Sequence, residues 1–420
     1  MSWAYDRLEG MKLPDFHVPA PQKLQRRHIA IVTETFAPDV NGVANTLGHL
    51  CHGLLSAGHT VTLVRPVPTG DVSRIFDAGE HADSFQEIRV RGVPLPRYRE
   101  LQIGWPSATL LRTSWAQSRP DQVYVATQGP LGWSAQRAAR KLAIPVCAGF
   151  HTNFQTYSRY YGLGFMQRFI TLYLRLFHNR AALTLVPTQR MQEHLLSLGI
   201  PQTAVWSRGV DCGQFSPELR DPALRQAWGV EEEDLAVLYV GRLAAEKNLR
   251  QVSATFDRLL AIHPRARLVL VGDGPLKAGL AQRYPDYLFC GMQTGTRLAQ
   301  HYASGDLLLF PSKTDTFGNV VIEAMASGLP VVAYDDGAAA EHIDDGVSGL
   351  TVPLDDDEAF TRAALRLADR PSLRSRMGKA ARREALSLSW SRLVEQFLVL
   401  IPNAPPEVAE DAARQSYPPL

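Results

Sequence analysis

Two hydrophobic patterns alternate along the chain. Short continuous apolar runs, rich in β-branched residues, end in Gly, Pro or polar turns, and between them lie segments whose apolar residues recur every three or four positions. The first run, His28-Ile-Ala-Ile-Val-Thr33, passes through the turn-forming segment Phe36-Ala-Pro-Asp-Val-Asn-Gly42 into a helical pattern over 43–57; Gly58 ends that helix and a second run, 61–64, follows at once. Strand, helix and strand in such close order require a parallel pair with the helix on the sheet face. Further strands are predicted at 122–126, 145–150 and 183–186, with a helix over 132–142. The pattern then restarts at 235–240 and continues with strands at 267–271, 287–290, 306–310 and 330–333, again alternating with helices. The expected fold is α/β, with two Rossmann-like, doubly wound parallel sheets.

Length agrees, because 420 residues exceed the roughly 250–300 that one core sustains. The predicted boundaries are a Pro-rich tail over 1–27, a first domain over 28–200, a second over 201–385, and a C-terminal helix (390–401) with a tail within 386–420. The segment 209–217 has the Gly and Pro content of a hinge. Ligands of open parallel sheets bind beyond the carboxyl ends of the strands, so the cleft between the two sheets is the expected site.

Charge refines this picture. Residues 1–210 carry 22 Lys/Arg against 13 Asp/Glu, and the remainder 22 against 29, for a formal net charge of only +2. A basic first half and an acidic second half suit domains that face different partners, although drift of surface charge gives the same counts. No nucleic-acid partner is expected. Cys51, Cys147, Cys212 and Cys290 are widely spaced, with no C-x-x-C, which fits a reduced cytosolic compartment. The first 27 residues hold no apolar stretch of signal-peptide length, and no run approaches the ~18 apolar residues of a membrane span, so a protein that is not secreted and does not cross a bilayer is expected.

Candidate chemistry collects where strands end. Gly241-Arg242-Leu-Ala-Ala-Glu246-Lys247-Asn248 follows the first strand of the second repeat, so Arg242 and Lys247 stand where an anion would sit; taken alone, the segment also reads as a solvated basic loop. Asp315-Thr-Phe-Gly-Asn-Val-Val-Ile-Glu323 follows the 306–310 strand. The N–H groups of Gly318, Asn319 and Val320, where Phe317-Gly318-Asn319 opens a helix, make an anion site. Glu323, one turn on, suits a pair of ribose hydroxyls. Asp315 could hold sugar hydroxyls or cap the helix. Gly42, between strand and helix, permits close backbone approach or serves as a plain turn residue. His151 sits at the end of the 145–150 strand and reads either as a site residue or as a hydrogen-bonded structural histidine.

The combination resembles glycosyltransferase family 4, the retaining nucleotide-sugar glycosyltransferases of the GT-B architecture. The motifs that carry the likeness are Gly-Arg-x(4)-Lys-Asn at 241–248, Gly-Asp-Gly-Pro at 272–275, Asp-x(7)-Glu at 315–323 and Glu-Ala-Met-Ala-Ser-Gly at 323–328. The resemblance implies that Arg242 and Lys247 bind the diphosphate, Glu323 the ribose, and Asp39-Val-Asn-Gly42-Val43 the donor backbone. It also implies that His151 touches the transferred sugar and that backbone near Met292 reads the base. Asp315 stands where many members have Glu, and Arg208-Gly-Val-Asp211 where the family has Asn-Gly-Val-Asp.

The implied reaction is a retaining transfer by front-face attack, with the leaving diphosphate helping to deprotonate the acceptor hydroxyl. No cofactor and no metal are expected, since no Asp-x-Asp follows a strand, and the Asp355-Asp-Asp357 run reads as a helix cap. Residues 162–181 mix large apolar side chains with Arg168, Arg175 and Arg180 at helical spacing. Such a helix either lies on an anionic membrane at the inner face of the plasma membrane or packs in the core with its arginines in water. Similar subfamilies include bacterial mannosyltransferases and glycolipid synthases, which points to a lipid or lipid-linked glycan acceptor. An epimerase on the same scaffold and a non-catalytic sugar-nucleotide sensor are the competing readings. A nicotinamide dehydrogenase is disfavoured, because no Gly-x-Gly-x-x-Gly follows a strand.

Overall fold

The computed structural model describes residues 26–37, 39, 41–67, 78–95, 98–151, 167–313 and 315–402. The predicted tails (1–25 and 403–420), Pro38 and Val40 of the glycine loop, Thr152 and Asn153, 162–166 of the basic helix, and Thr314 lie outside the described residues. The first unit contains β1 (His28–Val32), β2 (Thr60–Pro66), β3 (Phe85–Val90), a hairpin of β4 (Gly92–Leu95) and β5 (Tyr98–Gly104), then β6 (Gln122–Val125), β7 (Val146–Gly149), β8 (Leu183–Val186) and β9 (Thr203–Val205). The second contains β10 (Ala236–Val240), β11 (Arg267–Val271), β12 (Leu288–Gly291), β13 (Leu307–Phe310), β14 (Val331–Tyr334) and β15 (Leu350–Val352).

Outside the hairpin, the strands form two parallel sheets, in the orders β3-β2-β1-β6-β7-β8-β9 and β12-β11-β10-β13-β14-β15. The central strands β1 and β10 are apolar on both sides because helices cover both faces. Ile29 and Ile31 of β1 enter one core layer and Ala30 and Val32 the other; Val237 and Tyr239 of β10 likewise face away from Ala236, Leu238 and Val240. The order in which strands are added reverses between β1 and β6 and between β10 and β13, while the strands themselves stay parallel. Loops leaving β1 and β10 therefore diverge from their neighbours at the carboxyl edge and open a crevice, the usual ligand position in such sheets.

Two predicted boundaries move. Thr203–Val205 adds to the first sheet as β9, so that unit extends past residue 200. The Trp390–Leu400 helix returns to it as well: Leu393, Val394, Phe397 and Leu398 pack with Ile29, Ile31, Leu47 and Leu50 in one apolar layer. An amphipathic helix must bury its apolar stripe, and the exposed face beside the Gly42–Ser56 helix receives it. The chain thus crosses between units twice, and the crossings are joined where Val210 N–H donates to Leu388 O at 3.0 Å. Gly209 allows this contact, since a Cβ there would press on Leu393, Trp390 and the Leu388 carbonyl.

Candidate active site

Both halves of the site are built by strand ends. The Gly42–Ser56 helix starts just beyond β1, and the Asn41 side chain caps it by accepting from Val43 N at 3.1 Å and Ala44 N at 2.9 Å. Asn41 is itself held by Thr35, which also donates to Asp39. Val43 therefore offers neither a free N–H nor a free side chain, because the latter packs against the first core. Gly42 is the point of approach: a Cβ there would stand 3.1 Å from Arg208 Nη1 and 3.6 Å from Asn319 Nδ2. The glycine loop of the first unit thus meets the Phe-Gly-Asn turn of the second.

On the facing side, β10 leads to Gly241, and a short 3-10 turn, Ala245–Lys247, carries Lys247 into the cleft. Lys247 Nζ donates to Asp315 Oδ1 at 2.6 Å. Burial pushes the Asp315 carboxyl up, but the Lys247 charge and hydrogen bond outweigh it, and the group lies below its usual range. Arg242 is more exposed, with Nη1 3.8 Å from Glu246 Oε1. The Gly-Asp-Gly-Pro turn after β11 supports this loop: Leu243 N–H donates to Asp273 O at 2.9 Å, and a Cβ on Gly272 would collide with the Gly241 carbonyl. The turn supports the loop structurally.

The Asn319–Ala326 helix begins after Gly318, whose φ of 93° is left-handed and whose missing side chain leaves room for the Phe310 ring. A Cβ on Gly318 would stand 3.8 Å from that of Asp315. Phe317 is buried and serves as a platform, with the Arg208 guanidinium over its ring at 5.6 Å. Glu323 lies one turn on, its Oε2 accepting from the buried Tyr302 hydroxyl at 2.8 Å. Burial raises the Glu323 carboxyl above its usual range, and the Tyr302 hydrogen bond partly opposes this. Met292 is exposed in the loop after β12, at the same sheet edge but two strands from β10. Asp356 caps the helix that follows it, accepting from Ala359 N at 2.8 Å, as the sequence predicts for that acidic run.

His151, beyond β7, is buried, and its Nε2 lies 2.7 Å from the Tyr124 hydroxyl. Burial, and then the Arg208 charge, hold its pKa down at about 3, so the ring is neutral at physiological pH. Burial pushes the Tyr124 hydroxyl well above its usual range, so tyrosine keeps its proton and can donate it to Nε2, leaving Nδ1 as the N–H. Among the described residues buried Nδ1 has no partner. Gly149 makes this contact possible, because a Cβ there would collide with both the Tyr124 hydroxyl and the His151 ring.

Gly42, His151, Lys247, Asp315, Phe317, Gly318 and Asn319 are thus gathered about one interdomain cleft, Arg242 and Glu323 on the adjoining turns, and Met292 at the margin. Sequence reasoning missed Tyr124 and Tyr302, which act through their neighbours, took Asn41 only as part of the glycine loop, and gave Arg208 no role beyond standing where the family has Asn. Its legible signals are that replacement and a cation in the otherwise apolar and small segment Trp206-Ser-Arg-Gly-Val210.

Comparisons with known proteins agree with this geometry. Residues 40–214 match the model described as Glycosyltransferase Family 4, and residues 234–370 the model described as Glycosyl transferases group 1. The chain is 34% identical over 376 residues to a GDP-mannose-dependent alpha-mannosyltransferase of Mycobacterium tuberculosis, covering 88% of this chain and 95% of that one. It is 25% identical to an alpha-monoglucosyldiacylglycerol synthase of Streptococcus pneumoniae, covering 76% and 74%. Among solved structures, sucrose-phosphate synthase of Thermosynechococcus elongatus superposes with a TM-score of 0.73 at 20% identity, covering 93% of this chain and all of that one. WaaG, a glycosyltransferase involved in lipopolysaccharide biosynthesis, gives 0.64 at 15%, covering 89% and 99%. With the cleft, the cationic loop and the mannosyltransferase likeness over most of its length, the chain is a GT-B enzyme that belongs to glycosyltransferase family 4.

Proposed function

We propose that the enzyme transfers a hexosyl unit, with retention and without a metal, from a nucleotide-diphosphate sugar to a hydroxyl of a lipid or lipid-linked glycan. The observation that carries this is the meeting of Gly42 with Asn319 across the cleft, beside the Lys247–Asp315 pair. On this reading, Arg242 and Lys247 neutralise the diphosphate, Glu323 accepts from the ribose hydroxyls, backbone near Met292 reads the base, and Asp315 and neutral His151 hold the sugar. The C1–O bond to the distal phosphate breaks with its electron pair on that oxygen. The acceptor oxygen bonds to C1 from the same face, and its proton passes to the departing phosphate. Cationic side chains at the phosphate make a metal unnecessary. GDP-mannose is favoured over a UDP-hexose because the relative named for that donor is 34% identical, against 25% for the glucosyl-lipid synthase.

Surface chemistry supports a lipid-borne acceptor. No described helix is long and apolar enough to cross a membrane. The Gln167–His178 helix buries Leu174 and Phe177, yet its outer face exposes Phe169 (71%), Leu172 (53%), Tyr173 (39%) and Leu176 (51%), one contiguous stripe at helical spacing. Arg168 and Arg175 beside it are exposed, and Arg180 lies over Trp133 at 4.6 Å. An apolar stripe flanked by arginines suits the surface of an anionic bilayer.

A thermal-shift screen of GDP-, UDP- and ADP-sugars tests the donor, since a ligand that binds only the folded state raises Tm. GDP-mannose should give the largest shift, and incubation with a membrane lipid extract should yield a mannosylated lipid with an α-anomeric NMR signal, unaffected by EDTA. An inverted anomer, or nucleoside diphosphate released with no glycosylated product, would refute the proposal.

A further inference from the structure

The cleft holds three cations in different electrostatic situations. Lys247 is paired with Asp315 at 2.6 Å, and Arg242 has Glu246 at 3.8 Å. Arg208 is only 5% exposed, and among the described residues no carboxylate lies within ion-pair distance of it. Its Nη1 donates to Asn319 Oδ1 at 3.2 Å, its plane lies over Phe317, and its buried Nε has no partner among the described residues. A buried guanidinium is strongly destabilising unless an opposite charge approaches it, and here Asp315, already paired with Lys247, acts on it only through its field from beyond ion-pair distance. Burial lowers its pKa, but only to about 10, so the charge persists at neutral pH.

Its surroundings define the charge that fits. Arg208 Nη1 lies 3.1 Å from where a Gly42 Cβ would stand, at the start of the 15-residue Gly42–Ser56 helix, and bonds to Asn319, the first residue of the 8-residue Asn319–Ala326 helix. The Asn319–Ala326 helix begins without a side-chain cap, and although Asn41 already takes the Val43 and Ala44 N–H groups, the dipoles of both helices favour negative charge where their N-termini meet. We infer that Arg208 is a third cation for the donor diphosphate, holding the phosphate next to the sugar between the two helix N-termini. This rests on the donor site proposed above and adds a residue to it. The neighbours favour the donor over an anionic acceptor, because Asn319 and Gly42 belong to the loops assigned to the donor, and Asp315 and His151 lie within the field of Arg208. The Asn that stands here in the family pattern keeps the hydrogen-bonding polarity but not the charge. The fork of Arg can hold a phosphate bidentately.

Calorimetric titration of GDP and GMP into the wild type, R208Q and R208K tests the assignment, because only the diphosphate reaches the phosphate position next to the sugar. R208Q should bind GDP about 10- to 100-fold more weakly, with GMP affinity unchanged. Lysine keeps the charge and loses the fork, so R208K should lose about three- to tenfold for GDP alone. Equal losses for both nucleotides would make Arg208 a scaffold residue, and undiminished GDP binding would remove it from the site; either overturns the inference. Should R208Q lose its cooperative melt, R208K decides by the same comparison. A wild type that binds neither GDP nor GMP overturns the donor site as proposed, a result distinct from failure of Arg208 alone.

Discussion

Lys247 and Asp315 form a contact that can be opened from either end, and doing so separates folding from catalysis. At 2.6 Å the pair is charge-assisted, and its side chains keep 12% and 24% of their surface exposed. Breaking a fully buried pair costs roughly 3–5 kcal/mol, mostly because the remaining charge is stranded; with this partial exposure about 2–3 kcal/mol is expected for Lys247→Ala. Asp315 lies below its usual range in the folded state, so the stabilisation is present at neutral pH and is lost only as pH falls through that lowered value. Lys247→Ala/Asp315→Asn removes the stranded charge and should recover most of the lost stability. Activity should not follow. If Lys247 meets the charge that develops on the departing phosphate, its loss raises the barrier by about 2–4 kcal/mol, roughly 30- to 900-fold in kcat, and adding Asp315→Asn restores no cation. Denaturant titration and steady-state kinetics on both variants make the comparison. Parallel recovery of stability and kcat in the double variant would show that Lys247 acts only by holding the fold, and unchanged kcat in the single variant would end its catalytic role outright.

Two further outcomes are expected. Burial holds His151 and His178 at about 3 and His342 at about 4, against 6.5 for a free histidine. Each protonates first in the unfolded chain, so stability falls as pH drops from 6.5 toward 4, by about 1.4 kcal/mol per pH unit for each ring. His151→Asn should flatten that slope by one ring's share, and an unchanged slope in denaturant titrations at pH 7, 6 and 5 would show that His151 is not held neutral. Replacing Phe169, Leu172 and Leu176 together by Ser should remove about 3 kcal/mol of membrane partitioning, roughly 100-fold. Co-sedimentation with phosphatidylcholine vesicles containing phosphatidylglycerol reads this, and binding by the wild type that ignores the anionic lipid would oppose docking through Arg168 and Arg175.

Strands buried on both faces were legible because almost every residue in them is apolar, as in Ala236–Val240 or Leu307–Phe310. Those that escaped lie mainly at the margins. Phe85–Val90 mixes Gln, Glu and Arg into its sequence, while Thr203–Val205 and Leu350–Val352 are three-residue edge strands. An edge strand needs less apolar surface and so leaves a weaker pattern. The motif loops were legible for a topological reason: a loop that follows a parallel strand must emerge at the carboxyl edge. What no local pattern contains is contact between distant segments. Tyr124 beneath His151, Tyr302 behind Glu323 and Arg208 against Asn319 are separated by 27, 21 and 111 positions, and nothing near either partner announces the other.

The return of the C-terminal helix gives these distant contacts a common support. Leu393 O accepts from Trp206 Nε1 at 2.9 Å, Phe397 packs edge-on against Tyr124, and Tyr124 holds His151. Trp390 stacks on His49 of the Gly42–Ser56 helix, with ring centroids 4.7 Å apart. The last helix therefore braces both the glycine-loop helix and the histidine, although it arrives through the chain crossing that leaves the second unit. Arg208 stands immediately before Gly209, where the two crossings touch, and reaches over to Asn319 and Phe317. A phosphate held by Arg208, as inferred above, would therefore meet one helix from each unit beside the place where the chain crossings touch, so the brace from the last helix and the donor would act on the same pair of loops.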